Sequence, residues 1–175
     1  DGCTADTISC MPATLRKHAE LFYITDEGGL DPELKAALDA GNFDEIVVLG
    51  GEATITTSEL DALAIPHKKR FCAPNPSEAN RVINEWVDGE LDTPADELIM
   101  VSAADPADAF AVGQYVLSGH GRVMFENSGD LDSIANAIRM IESRKGADLS
   151  LTFLGSHVLF DETDKTLLAK VMKAR

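Results

Sequence analysis

The chain has 175 residues, of which 45% are hydrophobic, and a net charge of −15 from 30 acidic and 15 basic residues. The hydrophobic fraction is ample for a buried core and argues against intrinsic disorder. The excess of acidic residues excludes a general affinity for nucleic acid, because phosphate neutralisation requires lysine and arginine, and it disfavours docking to an anionic membrane surface.

The part of the chain up to residue 66 is predicted to alternate helices with short apolar strands. Helices are predicted over 5–19, 31–40 and 57–65, and strands over 21–25 and 46–49. Asp31-Pro32-Glu33 begins the second helix, since it combines an N-cap residue, a first-turn proline and an acidic first turn. No apolar stretch of about 18 residues occurs, so no membrane-spanning helix is predicted.

The second part begins with the basic cluster His67-Lys68-Lys69-Arg70, which is predicted to be a solvated connector, with contact to an anionic polymer as the alternative. Helices are then predicted over 77–87, 106–117 and 131–143, and from a cap at Asp161 or Thr163 to residue 173. Strands are predicted over 98–101, 123–125 and 149–154. The strands are apolar throughout, which is typical of parallel strands covered by helices on both faces. The sequence therefore predicts an α/β fold with a parallel sheet, in which the carboxyl ends of the strands hold any site.

The chain nearly repeats itself. Asp6 and Asp108 lie 102 residues apart in similar surroundings, and Gly50 and Gly155, which each follow an apolar strand, lie 105 apart. A fixed period indicates duplicated modules. Because the chain begins inside this repeat, we expect that upstream sequence is missing, and the missing signal peptide therefore says little about the compartment.

Gly50-Gly51 follows a buried strand, where backbone amides at a turn could hold a phosphate. Neither the dinucleotide-binding pattern G-x-G-x-x-G nor the phosphate-binding pattern G-x-x-x-x-G-K-[ST] is present. The structural alternative is a tight strand-exit turn that needs a positive φ. Only the first glycine recurs in the second copy, as Gly155, because Ser156 follows it.

Two aspartates are candidate ligand-binding residues at the strand ends. Asp108 lies in the first turn of the helix that Pro106 begins, where a carboxylate caps backbone amides or lines a crevice. Asp6 occupies the same place in the other copy. Asp105 is expected to cap the helix that contains Asp108, and Ser102 stands at the exit of the preceding strand. We expect Asp6 and Asp108 to organise helix starts beside a crevice that the strand-exit glycines shape.

The chain carries no pattern of a catalytic site. No serine stands in a G-x-S-x-G turn, so Ser102, His120 and Asp108 are not expected to form a triad. His18 and His120 share a repeat position and are expected to be loop residues, while His157 stands unrepeated at a strand end.

The three cysteines do not predict a metal site. No C-x-x-C pair occurs, which disfavours tetrahedral zinc. Cys3, Cys10 and Cys72 fit either reduced structural cysteines or one Cys3–Cys10 bridge with Cys72 free and buried.

Two stretches of the chain follow the pattern of a known repeat. Residues 101–110, Val-Ser-Ala-Ala-Asp-Pro-Ala-Asp-Ala-Phe, show a strand end, a small-residue turn and an aspartate-alanine helix start. Residues 46–55, Ile-Val-Val-Leu-Gly-Gly-Glu-Ala-Thr-Ile, show an apolar strand with a double glycine. In their order and repetition these motifs resemble the type 2 cell wall binding repeat, and the resemblance spans nearly the whole chain.

The resemblance implies Rossmann- or Toprim-like layered modules in tandem. Residues 1–66 would be the C-terminal part of one module, and 67–175 a second, nearly complete module. The implied function is that of a secreted, non-enzymatic anchor without a cofactor, which holds a surface protein of Gram-positive bacteria to an anionic cell wall polysaccharide or teichoic-type polymer. The expected ligand-binding residues are Asp6, Gly50, Gly51, Ser102, Asp105, Asp108 and Gly155.

Modules of this family pack around a pseudo-threefold axis, so neighbouring modules or further copies of the chain are expected partners. A chain with a charge of −15 would repel a polyanion unless a local basic patch or a divalent cation bridges them.

Two alternatives stay open. One is a doubly wound α/β domain that binds a small ligand or phosphate, with or without enzymatic activity; it would show an unrepeated polar constellation at the strand ends. The other is a scaffold whose partner domain has been removed, which would leave an exposed apolar patch at one end.

Overall fold

The computed structural model describes residues 2–25, 27–92, 94–104, 107–144, 148–155 and 159–174. In chain order its elements are α1 (Gly2–Arg16), α2 (Pro32–Ala40), β1 (Glu45–Leu49), α3 (Thr57–Ala62), β2 (His67–Phe71), α4 (Pro76–Glu90), β3 (Glu97–Ser102), α5 (Ala107–Ala111), α6 (Gly113–Leu117), β4 (Gly121–Glu126), α7 (Leu131–Glu142), β5 (Ser150–Leu154) and α8 (Glu162–Ala174).

These elements form two compact units. The small unit is Glu20–Pro74, and the large unit combines Asp1–Ala19 with Asn75–Arg175. The predicted module boundary after residue 66 divides the repeated sequence rather than these compact units, and it stays a prediction.

In the small unit, β1 and β2 form a parallel pair. α3 begins with a capping box, in which the Thr56 side chain accepts the Glu59 amide and the Glu59 carboxylate accepts the Thr56 amide. The predicted N-cap Asp31 is confirmed, because its side chain accepts two amides in the first turn of α2. The strands and helices bury one core, formed by Leu38, Val48, Ile55, Leu60, Leu63 and Ile65.

Two predictions in the small unit are wrong. Residues 21–25 are not a strand, and Leu21 and Phe22 are each 41% exposed. A strand needs a neighbour to complete its hydrogen bonds, and no strand of the described chain pairs with this segment. The basic cluster predicted to be a connector is instead β2, because β1 supplies a partner strand and Lys69 Nζ reaches Glu45 Oε1 at 2.8 Å.

In the large unit, three parallel strands lie in the order β4-β3-β5. Successive side chains of β3 point to opposite faces of the sheet, so each face has its own core. The core under α7 and α8 includes Leu98, Met100, Met124, Met140, Ile141 and Leu168. The core under α1, α5 and α6 includes Ile8, Ile99, Val101, Ala109, Val116 and Val123. The predicted α/β fold with parallel strands is therefore confirmed.

The outer edge of β4 is closed by two asparagines of α4. Asn80 Nδ2 donates to the Val123 carbonyl at 3.0 Å, and Asn80 Oδ1 accepts the Phe125 amide at 3.1 Å. Asn84 Nδ2 donates to the same Val123 carbonyl at 2.9 Å. Both asparagines are fully buried, so these backbone groups are satisfied without another strand.

A buried ion-pair cluster holds the start of β4 to α4. Asp88 of α4 binds Arg122 of β4, with Arg122 Nε 2.9 Å from Asp88 Oδ1, and it also binds Arg144 just after α7. Burial raises the pKa of Asp88, although both guanidinium groups oppose that shift. Because Arg122 and Arg144 are 0% and 3% exposed, one carboxylate serves two buried cations.

Candidate functional site

Three predicted site residues meet at the carboxyl ends of the strands in the large unit. Ser102 is the last residue of β3, is 2% exposed, and accepts the Ala104 amide on its Oγ at 3.2 Å. Gly155 directly follows β5 and has a φ of +130°. A Cβ atom there would lie 3.1 Å from Asp108 Oδ2, so the Asp108 carboxylate packs against the Gly155 turn.

Asp108 and Asp6 do not play equivalent parts. Asp108 lies in the first turn of α5, as predicted. Asp6 lies one turn inside α1, whose first turn has no acidic residue, and burial raises its pKa. The predicted helix-start position is therefore correct for Asp108 and wrong for Asp6, because α1 begins earlier than the sequence pattern indicates.

The surroundings of Asp108 differ from the prediction in one respect. The single helix predicted over 106–117 is two short helices, α5 and α6, which meet at Val112. The break precedes Gly113, and glycine is a weak helix former. Asp105, the predicted cap, lies outside the described residues.

Glu126, the last residue of β4, belongs to this edge although the sequence analysis missed it. It lies opposite Ser102 and is fully buried, and no described N–H or O–H group donates to either carboxylate oxygen. Burial raises its pKa to about 7, helped by the charge of Asp164 and by hydrogen bonding with that carboxyl group, which favours the protonated form. Lys165 opposes the shift and Asp161 adds to it.

Asp164 supplies the second carboxyl group of the pair. It lies in the first turn of α8, is 6% exposed, and accepts the Gly129 amide on Oδ2 at 2.9 Å. The sequence offers one signal for this pair: Glu126 directly follows an apolar run, ahead of the turn residues Ser128 and Gly129. A charged residue at that position is still part of the strand and is therefore buried with it.

In the small unit, Gly50 and Gly51 form the exit turn of β1. The Gly50 amide donates to the Phe71 carbonyl at 2.8 Å. Arg70 Nη1 donates to the carbonyls of Gly50 and Gly51 at 3.1 and 2.7 Å, and Nη2 donates to the Ile55 carbonyl at 2.6 Å. The Gly50 amide and the Arg70 guanidinium, which are groups that could bind a phosphate, are thus both hydrogen-bonded within the protein. This favours a structural turn over a phosphate site.

The two glycine turns are built alike. Gly50 and Gly155 have φ values of +139° and +130°, and each follows a five-residue strand. An added Cβ atom would meet Thr54 in one turn and Leu159 in the other, and these two residues also lie 105 apart. The structure therefore repeats the turn that the sequence repeats.

Other candidate residues lie away from this edge. His120 Nδ1 is 3.6 Å from Asp96 Oδ2, and both side chains are exposed near the amino ends of β3 and β4. His157 lies outside the described residues, as does the side chain of Cys3 and with it the predicted alternative of a bridge to Cys10. Cys72, which that alternative placed in the interior, is exposed. Among the described side chains, no group of three or more His, Cys, Asp and Glu residues could hold a metal ion.

None of the described helices combines the length and the apolarity needed to cross a membrane. The sequence matches no family model and no curated protein. The structure is similar to Cwp8 from Clostridium difficile, with a TM-score of 0.70 and 17% identity over 99% of this chain and 28% of that chain. It is also similar to Cwp6 from Clostridium difficile, with a TM-score of 0.72 and 13% identity over 97% of this chain and 26% of that chain. The chain therefore shares a fold with about a quarter of the length of each of these proteins.

Proposed function

We propose that this chain is a non-catalytic cell wall binding module, which holds a secreted protein of a Gram-positive bacterium to an anionic polymer of the wall. The observation that carries the proposal is the fold similarity to the cell wall proteins Cwp8 and Cwp6 over 99% and 97% of the chain. The repeated strand, glycine turn and helix support its modular part. Neighbouring modules, or further copies of the chain, are the expected packing partners.

The chemistry of the carboxyl edge supports a non-catalytic role. Ser102 is buried and its Oγ is engaged with a backbone amide, so it is poorly placed to act as a nucleophile. Glu126 and Asp164 place buried carboxyl groups at the same edge. A phosphate bound there would meet like charge, which makes the alternative of a phosphate-binding domain the less favourable one.

The basic strand β2 does not solve the problem of binding a polyanion at a net charge of −15. Lys68 Nζ donates to the Asp61 carbonyl at 3.0 Å, Lys69 pairs with Glu45, and Arg70 binds the glycine turn. These cations are engaged within the small unit. Because the described side chains form no metal site of their own, we propose that each divalent cation is shared between an acidic side chain of the module and acidic groups of the polymer.

Sedimentation with isolated Gram-positive cell walls tests the proposal. The purified chain is mixed with intact walls, or with walls stripped of anionic polymers, in calcium and magnesium or in EDTA. We expect the chain to sediment only with intact walls and only when divalent cations are present. An unrelated acidic protein of similar size and charge controls for cation-induced aggregation.

Each negative result has a separate meaning. A chain that stays in solution with intact walls at every salt and cation concentration would overturn wall binding, and nucleotides and sugar phosphates would be tested next. Sedimentation that survives EDTA but not stripping would contradict the cation bridge and keep the polymer as the ligand.

A further inference from the structure

Among the described residues, no strand pairs with the outer edge of β5, which is called the open edge from here on. The Ser150 amide donates to the Asp96 carbonyl at 2.8 Å, so Ser150 faces β3. Because backbone groups alternate along a parallel strand, Leu151, Phe153 and Gly155 turn their amides away from β3. No strand of the described chain pairs on that side. The residues of β5 are exposed or half-buried, whereas all of β4 is buried.

The same edge lacks the features that keep exposed strands from pairing. Such edges are normally protected by proline, by charged side chains or by a bulge. β5 reads Ser-Leu-Thr-Phe-Leu, with no proline and no charge, and it pairs with β3 in unbroken register. The edge is therefore suited to receive another strand.

The small unit contains the structural equivalent of this strand. β1 and β5 both end in a glycine of positive φ, at positions 105 residues apart. The helices that follow are also equivalent, since Thr56 and Asp161 each accept an amide of the next helix's first turn and again lie 105 apart. What binds the edge of β1 therefore indicates what the edge of β5 can bind.

β2 occupies the edge of β1 that corresponds to the open edge of β5. The Asp44 carbonyl accepts the His67 amide at 3.1 Å, and the Gly50 amide donates to the Phe71 carbonyl at 2.8 Å. The even-numbered residues of this stretch therefore face β2. Their counterparts 105 residues later are the odd-numbered residues of β5, which face away from β3.

β2 also brings an arginine that completes the glycine turn. Arg70 binds the carbonyls of Gly50 and Ile55, whose counterparts are Gly155 and Phe160. A basic strand is complementary to a chain with a charge of −15. The small unit thus specifies the direction, the register and the charge of a strand suited to β5.

We propose that the open edge of β5 binds a parallel strand from a neighbouring module, a basic segment of the β2 type whose arginine reaches the carbonyl groups of Gly155 and Phe160. The inference rests on the modular part of the proposed function and not on wall binding. Elements already cross the predicted module boundary: α1, which precedes it, packs against α4, and β2, which follows it, pairs with β1. A strand added to β5 extends that arrangement.

The test uses a peptide with the sequence of residues 64–74 as the probe, with Cys72→Ser to prevent oxidation. Amide hydrogen exchange of the full isotope-labelled chain is measured by NMR with and without the peptide. We expect exchange at Leu151, Phe153 and Gly155 to slow by about tenfold or more at saturation. Thr152 and Leu154, which face β3, keep their rates.

Three variant peptides leave the protein itself unchanged. In β2 the His67 amide binds β1, so the Lys69 amide faces the partner strand and the Lys68 amide faces away. Lys69→Pro in the peptide should abolish binding, whereas Lys68→Pro, which removes the same charge, should retain it. Arg70→Ala should weaken binding by about tenfold, because the contacts to the turn carbonyls are lost.

Two results would overturn the inference. One is the absence of binding at millimolar peptide, or binding that leaves the exchange rates of Leu151, Phe153 and Gly155 unchanged. The other is protection of these amides that grows with protein concentration in the absence of peptide, since a second copy of the chain would then be the occupant. If the chain binds the peptide but not cell walls, this inference stands and the proposed wall binding is overturned, so the two failures are distinguishable.

Discussion

The two edges of the sheet in the large unit differ in whether their outward-facing backbone groups have described hydrogen-bond partners. At β4, Asn80 and Asn84 bind the outward-facing backbone groups, and the whole strand is buried. At β5, no described strand covers the outer edge and the side chains are exposed or half-buried. The sheet is therefore closed on one side by a helix and left able to pair on the other.

This difference explains why α4 has asparagines at buried positions, where apolar residues would be expected. An asparagine on the buried face of a helix makes fewer apolar contacts than a hydrophobic residue would. Burial of its amide group is unfavourable unless that group is hydrogen-bonded. Asn80 and Asn84 obtain those bonds from β4, so the helix replaces a fourth strand. The closed edge should consequently depend on a few specific side chains, while changes at the open edge should alter binding more than stability.

The largest expected effect is at the ion-pair cluster that holds α4 to the start of β4. Asp88→Ala leaves Arg122 and Arg144 without their shared carboxylate, and we expect a loss of about 4 kcal/mol in unfolding free energy, measured by urea denaturation. Glu85→Ala is the matched control on the same helix, because the Glu85 side chain is 38% exposed and Arg81 keeps its hydrogen bonds to Asn136 and Glu78, and it should cost less than about 1 kcal/mol. Equal effects would show that the buried cluster does not hold the edge closed.

The next effect is at the asparagines themselves. Asn80→Ala leaves the Phe125 amide buried without an acceptor and removes one donor to the Val123 carbonyl, so we expect a loss of about 3 kcal/mol in unfolding free energy. Asn84→Ala leaves that carbonyl bound by Asn80 and should cost about 1 kcal/mol. Thermal or urea unfolding of the two variants decides the point. If Asn84→Ala were the more damaging change, Asn80 would not be the main closure of the edge.

The carboxyl end of β4 should make stability depend on pH. The folded-state pKa of Glu126 is raised from 4.5 to about 7, so its protonated form favours the folded chain. This contribution is fully present below about pH 4.5 and is lost as the pH rises through about 7, with a total change of about 3 kcal/mol. Glu126→Gln keeps the shape without the titrating group, so the variant should lack this slope between about pH 4.5 and 7, the window set by the two pKa values.

Urea denaturation of both proteins across that range gives the comparison. Asp164→Asn is a useful second variant, because it removes the neighbouring charge that raises the pKa of Glu126 and should move the midpoint of the loss to lower pH. Parallel stability curves for the original chain and Glu126→Gln would mean that Glu126 stays ionised in the folded state.

The fold could be predicted where the signal was local. Apolar runs such as Leu98–Val101 and Val123–Phe125 alternate with amphipathic helices, and that order is sufficient for a parallel α/β sheet. Strand identity failed where it depended on a neighbour. The charged segment 67–71 became a strand because β1 lies beside it, and the apolar segment 21–25 did not, because no described strand pairs with it.

The site could be predicted only in part for the same reason. Gly50 and Gly155 were found because the repeat and the strand-exit position are both visible in sequence. The contact of Asp108 with Gly155 follows from the positions of α5 and β5 in the sheet, which helix spacing alone does not give. Glu126 could not be predicted, because burial, the main cause of its raised pKa, depends on the folded chain, and Asp164, which adds to the shift, lies 38 residues away in sequence. Long-range burial, rather than local propensity, determines that carboxyl pair.

The smallest perturbation tests the comparison of the two edges without a mutation. Phe125 of β4 and Phe153 of β5 both turn their amides away from β3, but only the Phe125 amide has a described acceptor, Asn80 Oδ1. Amide exchange by NMR should therefore be about 100-fold faster at Phe153 than at Phe125. Thr152 and Leu154 face β3 and serve as internal controls, since they should exchange as slowly as Phe125. Slow exchange at Phe153 that persists on dilution would mean that the edge of β5 is already covered within the chain, and the contrast between the two edges would then not exist.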